Sequence, residues 1–135
     1  MSTPAPTDPE ALAPSPDSIL LTGRRALVTG AARGIGRATA LALARFGADV
    51  GVCDRLGDEL AGTVAEVESL GRRAPAAVLD VRDTDAVDAW VTELEGEWAT
   101  LDVLVNNAGG GFVSTVAAMS PKGQAALIAE NFTQV

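Results

Sequence analysis

Three glycines within seven residues, Gly30, Gly34 and Gly36, stand between a short apolar run and an alanine-rich segment of helical spacing. That order, strand then tight turn then helix, restricts the fold more than any other feature of the chain. Ala26-Leu27-Val28 reads as a buried first strand, and the helix after Thr29-Gly30-Ala31-Ala32-Arg33-Gly34-Ile35-Gly36 is expected to end near Phe46, with Gly47 at the left-handed position behind it. In such a turn Gly30 allows a sharp exit from the strand, Gly34 lets a ligand approach the backbone, and Gly36 removes a side chain from between helix and sheet. A helix start carries roughly half a positive charge on backbone N–H groups that point outward, so a pyrophosphate can be held there without cationic side chains. By itself the spacing also fits an ordinary strand-to-helix turn.

The rest of the chain repeats the alternation of short apolar runs with helical stripes, the pattern of an α/β fold built on a parallel sheet. Ala48 to Cys53 reads as a second strand with Asp54 at its carboxyl end. Leu60, Val64, Val67 and Leu70 then recur at helical spacing. Ala76 to Leu79 reads as a third strand, followed by Asp80 and by a helix capped at Asp83 or Thr84. Val87, Trp90, Val91, Leu94 and Trp98 form the stripe of that helix, where the two tryptophans are expected to be core. Leu101 to Val105 reads as a fourth strand leading into Asn106-Asn107-Ala108-Gly109. Ser120 and Pro121 start a last helix, with Leu127, Ile128 and Val135 on its apolar side.

With 135 residues the chain has room for one domain, expected over residues 20–135. Residues 1–19 hold five of the seven prolines and are expected to form a disordered or polyproline-like extension. They lack the charged start and apolar stretch of a signal peptide, and no apolar run is long enough to span a bilayer, so a cytoplasmic protein without a membrane partner is expected. A net charge of −8 repels nucleic acid. No His and a single Cys exclude a His-containing triad, a Cys/His zinc site and an internal disulfide, and no metal site is expected.

Asp54, 24 positions after Gly30, adds a second element to the site. A carboxylate at the end of strand two can accept both hydroxyl hydrogens of an adenosine ribose and repels a 2′-phosphate, which favours NAD over NADP. Arg33 and Arg55 pull the other way. Either can pair with a 2′-phosphate or simply be solvated, so NADP stays open as an alternative.

Thr29-Gly30-x-x-x-Gly34-Ile35-Gly36, Asp54, Asp80-Val81, Asn106-Asn107-Ala108-Gly109 and Asn131 together resemble the short-chain dehydrogenase/reductase family, with the motifs in the family's order over roughly residues 20–135. The resemblance implies a doubly wound Rossmann sheet, here incomplete with about four strands, and NAD(P)-dependent hydride transfer between a nicotinamide and a small alcohol or ketone. It makes Gly30, Arg33, Gly34, Ile35 and Gly36 the phosphate turn and Asp54 the ribose acid. Asp80 and Val81 fall beside the adenine, Val81 through its backbone N–H. Asn107, Ala108 and Gly109 line the second ribose, while Asn106 braces the central strands. Asn131 is then the catalytic-set asparagine that holds a water in the proton relay.

The family's catalytic Ser and Tyr-x-x-x-Lys follow that asparagine, and this sequence contains no Tyr. The expectation is therefore a cofactor-binding half, truncated before the catalytic residues and inactive alone: a fragment, a truncated gene product or half of a split enzyme that needs more chain, in cis or in trans, with a complementing chain or a homo-oligomer as the expected partner. Strand four would be an unprotected edge. Two alternatives are a non-catalytic dinucleotide-binding module and a remnant that does not fold by itself.

Overall fold

Side-chain alternation along the strands decides which helix covers which face. In the computed structural model, which describes residues 16–111 and 113–133, β1 (Arg25–Thr29) and β2 (Asp49–Asp54) send Ala26, Val28, Val50 and Val52 to one face, all fully buried. There they meet Ala40, Leu41 and Ala44 of α1 (Gly34–Arg45) and Leu60 and Val67 of α2 (Gly57–Ser69). Leu27 and Cys53 point the other way, onto Trp90 and Leu94 of α3 (Thr84–Glu97). Gly51 shares that second face, and a Cβ there would lie 3.2 Å from the Trp98 ring, so the missing side chain makes room for the indole. Both tryptophans are core, as their spacing predicts.

All strands are parallel, in the order β3-β2-β1-β4, with β3 at Ala76–Val78 and β4 at Val103–Val105. This is the incomplete Rossmann-type sheet that the sequence implies. From β1 the chain steps outward through β2 to β3, and α3 then carries it back to the opposite side of β1. The direction of winding reverses between β1 and β4, and ligands of such sheets bind in the crevice outside the carboxyl ends at that reversal. The loops after β1 and β4 meet there.

Among the described residues no strand pairs with the outer side of β4, where Leu104 is 55% exposed. An apolar groove of about 480 Å³ runs beneath it, between α3 and the sheet.

Several boundaries shift by one or two residues, as helix and strand ends commonly do. β2 starts at Asp49 instead of Ala48, β3 stops at Val78, and β4 is confined to Val103–Val105. α1 ends at Arg45 with Phe46 as its cap. Asp83 caps α3, accepting from Ala86 N–H at 3.1 Å, and Ser120 caps α4 (Pro121–Ile128), accepting from Gly123 N–H at 3.1 Å. Leu70 and Val91, expected on buried stripes, are exposed: Leu70 lies beyond the last turn of α2, and Val91 sits at the margin of the open groove. Thr63, absent from the expected stripe, is fully buried instead. Leu127 of α4 is half-buried and Ile128 exposed, while Val135 lies outside the described residues. Of the stretch expected to be a disordered or polyproline-like extension, residues 1–15 also lie outside them, and Pro16–Ile19 forms a turn of 3-10 helix. Among the described residues no helix is long and apolar enough to cross a membrane, and no group of three or more His, Cys, Asp or Glu side chains is placed to hold a metal.

Candidate functional site

The glycine turn is held from behind so that its front stays open. Ala31 N–H donates to Cys53 O at 3.2 Å, and Ala32 N–H donates to Asp54 Oδ2 at 3.0 Å. Thr63 on α2 donates its hydroxyl to Ala31 O at 2.9 Å. The three partners come from the neighbouring strand and helix, which fixes the turn's path without using the amides that follow. A Thr63→Val chain keeps the shape but loses the hydroxyl, and it is expected to be about 1–2 kcal/mol less stable in chemical denaturation.

Backbone conformation then explains two glycines. Gly30 has φ +67°, and a Cβ on it would lie 2.8 Å from Ala108 Cα. Gly34 has φ +58° with nothing within 4 Å of where a Cβ would stand, so its outer side is open for a ligand. A Cβ on Gly36 would drive into Gly30 O and Asn107 Nδ2, so this glycine allows the helix to pack on the turn itself and on the loop after β4.

The start of α1 differs from the other helix starts. Its cap residue, Arg33, makes no side-chain capping bond, and its first turn contains no acid. α2 has Asp58 and Glu59 in its first turn, and α3 has the Asp83 cap and Asp85. The first backbone bond into α1 is Arg37 N–H to Arg33 O, and among the described residues no acceptor meets the N–H groups of Gly34, Ile35 or Gly36. A positive helix end with three unanswered donors stands at the cleft, where Gly34 and Ile35 line the wall and Gly36 is buried behind them.

Asp54 closes one side of that cleft. Its Oδ2 holds Ala32 N–H and its Oδ1 accepts from Leu56 N–H at 3.1 Å, so the half-buried carboxylate is oriented by backbone on both oxygens while each keeps a further lone pair. Arg33 and Arg55 line the same cleft, both exposed, and among the described residues neither forms an ion pair.

Asp80 and Val81 lie further along the wall. Arg82 grips both oxygens of Asp80, through Nε and its backbone N–H on Oδ1 (2.9 and 3.0 Å) and through Nη2 on Oδ2 (2.5 Å). The side-chain hydrogen bonds from Arg82, helped by its backbone N–H, hold the Asp80 carboxyl down at about 2. A carboxyl lowered on folding stabilises the fold above its unfolded value near 3.9, and that contribution disappears as pH falls from about 4 through about 2. The denaturant midpoints of the parent and Asp80→Asn chains are therefore expected to converge over that window. Because the pair is partly exposed, high salt should narrow the gap at neutral pH too.

The loop after β4 is sewn to the glycine turn. Asn107 Nδ2 donates to Thr29 O and Gly30 O at 3.0 and 3.1 Å. Thr29 Oγ1 accepts from the N–H groups of Asn107 and Ala108 at 3.1 and 2.9 Å. The brace expected of Asn106 therefore belongs to Asn107, which also lines the cleft. Asn106 instead lines the apolar groove on the other side of the sheet, because adjacent residues at a strand end point to opposite faces. Asn131, in the π-helical turn Ala129–Thr133 that follows α4, clamps the same loop. Its Nδ2 donates to Gly110 O (2.8 Å) and Leu127 O (3.0 Å), and its Oδ1 accepts from Gly110 N–H (3.1 Å).

The cleft so formed has a volume of about 430 Å³. Of the expected site residues, Gly30, Arg33, Gly34, Ile35, Asp54, Arg55, Asp80, Val81, Asn107, Ala108 and Gly109 line it. Gly36 is buried behind the turn, and Asn131 acts one layer back through Gly110. Leu56, Leu79 and Glu130 line the cleft without having been singled out. The first two continue the strand-end positions beside Asp54 and Asp80, whereas Glu130 is brought in by the π-helical turn.

A parallel sheet with a glycine turn, a strand-end acid and a second loop at its winding reversal is the architecture of a dinucleotide-binding Rossmann domain. The profile of the short chain dehydrogenase family matches residues 24–135. This chain belongs to that family. It is 46% identical over 94 residues to gluconate 5-dehydrogenase of Gluconobacter oxydans (strain 621H), covering 70% of this chain and 37% of that enzyme. A short chain dehydrogenase from Mycobacterium paratuberculosis bound to NAD superposes with a TM-score of 0.81 at 35% identity, over 84% of this chain and 47% of that one. A metagenomic short-chain oxidoreductase in complex with NADP does so with a TM-score of 0.77 at 38% identity, over 84% and 52%. The chain thus spans about half or less of each of these proteins.

Proposed function

We propose that the cleft binds NAD and that this chain supplies the cofactor half of a dehydrogenase acting on a small alcohol or ketone. The observation that carries this reading is the set of N–H groups on Gly34, Ile35 and Gly36, which have no acceptor among the described residues and sit at a helix start without a compensating acid. A diphosphate fits that chemistry, with Gly34's open side giving it access. The free lone pairs of Asp54 take the adenosine ribose hydroxyls, and Val81 offers its N–H to the adenine. Asn107, Ala108 and Gly109 flank the second ribose. Arg33 and Arg55 supply positive charge beside Asp54, so NADP binds too, more weakly than NAD because the carboxylate opposes its 2′-phosphate.

The bound nicotinamide supplies the hydride-accepting or hydride-donating carbon. Proton transfer to the substrate oxygen requires an acid/base, which the family takes from a tyrosine, and this chain has no Tyr. Asn131 contributes to the relay through the second lone pair of Oδ1, where a water can be held. The catalytic acid/base comes from polypeptide outside this sequence, in cis or in a complementing chain. The non-catalytic alternative shares the same cleft and rests on the same absence of tyrosine.

Calorimetric titration of the 135-residue chain tests the cofactor reading that both alternatives share. Saturable NAD binding, with NADP weaker by about tenfold, is expected; no heat with millimolar NAD would overturn the reading.

A further inference from the structure

Among the described residues Thr63 is the one buried polar side chain, and no contact with a ligand calls for it. It stands on α2 between Leu60 and Val67, and its hydroxyl donates to Ala31 O at 2.9 Å, with Ala32 O beside it at 3.5 Å. A trans peptide is planar, so its C=O and N–H point in opposite directions. The peptide that joins Ala31 to Ala32 is therefore held from both sides, its carbonyl by Thr63 and its N–H by Asp54 Oδ2 at 3.0 Å. Hydroxyl, carbonyl, N–H and carboxylate form one line from a buried helix face to the acid that lines the cleft, and each bond polarises the next. The other oxygen of Asp54 is held by Leu56 in its own loop, so the Ala32 bond is what ties the carboxylate to the glycine turn. Ala31 is fully buried, and among the described residues no other donor reaches its carbonyl. Without the hydroxyl that carbonyl bears its full desolvation cost, which rotation of the peptide toward the open cleft relieves. The same rotation lifts Ala32 N–H away from Asp54.

Given the dinucleotide reading above, on which this rests, we propose that Thr63 is a positioning residue for cofactor choice. Through the Ala31–Ala32 peptide its hydroxyl holds the Asp54 carboxylate where it accepts the ribose hydroxyls and opposes a 2′-phosphate. The docking of α2 does not depend on that hydroxyl, because Leu60 and Val67 pack in the core and Glu66 pairs with Arg37 of α1. Thr63→Val removes the bond and leaves those contacts in place.

The test is calorimetric titration of NAD and of NADP into the parent chain, the Thr63→Val, Thr63→Ser and Asp54→Asn chains, and the chain carrying both Thr63→Val and Asp54→Asn. The parent is expected to prefer NAD by about tenfold. Thr63→Val should reduce that ratio about threefold or further, whereas Thr63→Ser, which keeps the hydroxyl, should stay within about twofold of the parent. In the Asp54→Asn background Thr63→Val should leave the ratio where Asp54→Asn alone puts it, since the two act in one line. General loosening of the site lowers both affinities together and leaves their ratio unmoved. An unchanged ratio in Thr63→Val, an equal fall in Thr63→Ser, or the same fall in the Asp54→Asn background overturns the inference while the cofactor reading stands. Independently of whether the valine chain folds, the Ala32 amide of the isotopically labelled parent should show a through-hydrogen-bond coupling to the Asp54 carboxyl carbon, and its absence overturns the inference as well. Failure of the parent to bind either dinucleotide overturns both readings.

Discussion

A Gly36→Val chain is expected to lose about 3 kcal/mol of stability or more, the upper range for forcing atoms into a packed interior. The reason lies in what a Cβ would strike. Gly30 O belongs to the backbone of a turn whose next two residues are pinned by Cys53, Asp54 and Thr63, and Asn107 Nδ2 is held by two hydrogen bonds. Neither neighbour is the loose end of a flexible side chain, so helix α1 must move away from the turn. That movement would separate α1 from β1 and uncover Ala40, Leu41 and Ala44. In a thermal melt followed by circular dichroism, a fall of roughly 10–20 °C is expected for a domain of this size. A melt within a few degrees of the parent would show that the packing at this glycine has been misread.

The second large effect lies two residues earlier and concerns binding, not folding. At Gly34 there is open space, so Gly34→Asp introduces no clash, and aspartate tolerates the positive φ at a cost of about 1 kcal/mol. Its carboxylate would lie against the N–H groups of α1's first turn and satisfy the helix end that the native sequence leaves unanswered. The fold should survive with a modest loss, while dinucleotide affinity falls about a hundredfold, because the added charge occupies the donors and repels the diphosphate. Gly34→Ala pays the same backbone strain without the charge and should lose much less. If the alanine and aspartate chains bind alike, electrostatic competition at the helix start is not what Gly34 protects.

The fold was legible because its apolar runs and helical stripes are unmixed. Short continuous apolar runs at Ala26 to Val28 and Val50 to Cys53 identify strands buried on both faces, and the helical stripes of α2 and α3 identify what covers them. The glycine turn, Asp54, Asp80-Val81 and Asn107-Ala108-Gly109 were legible because each combines an unusual residue type with a strand end, and all of them converge on the cleft. Thr63 was missed because a threonine on a helix looks solvent-facing. Its position between Leu60 and Val67 was the available signal, and its burial follows from the turn carbonyl that its hydroxyl satisfies. The brace was assigned to Asn106 instead of Asn107 because two identical residues at a strand exit differ only in the face they take, which depends on strand register. Glu130 had no sequence signal: only the π-helical turn, a property of how α4 ends, brings it over Gly110.

The central claim is that the first turn of α1 receives the diphosphate. It is tested most directly by titrating the isotopically labelled chain with NAD and following each backbone amide by nuclear magnetic resonance. The amides of Gly34, Ile35 and Gly36 should show the largest shifts, saturating together with those near Asp54. Saturable NAD binding that leaves those three amides unmoved would contradict the account.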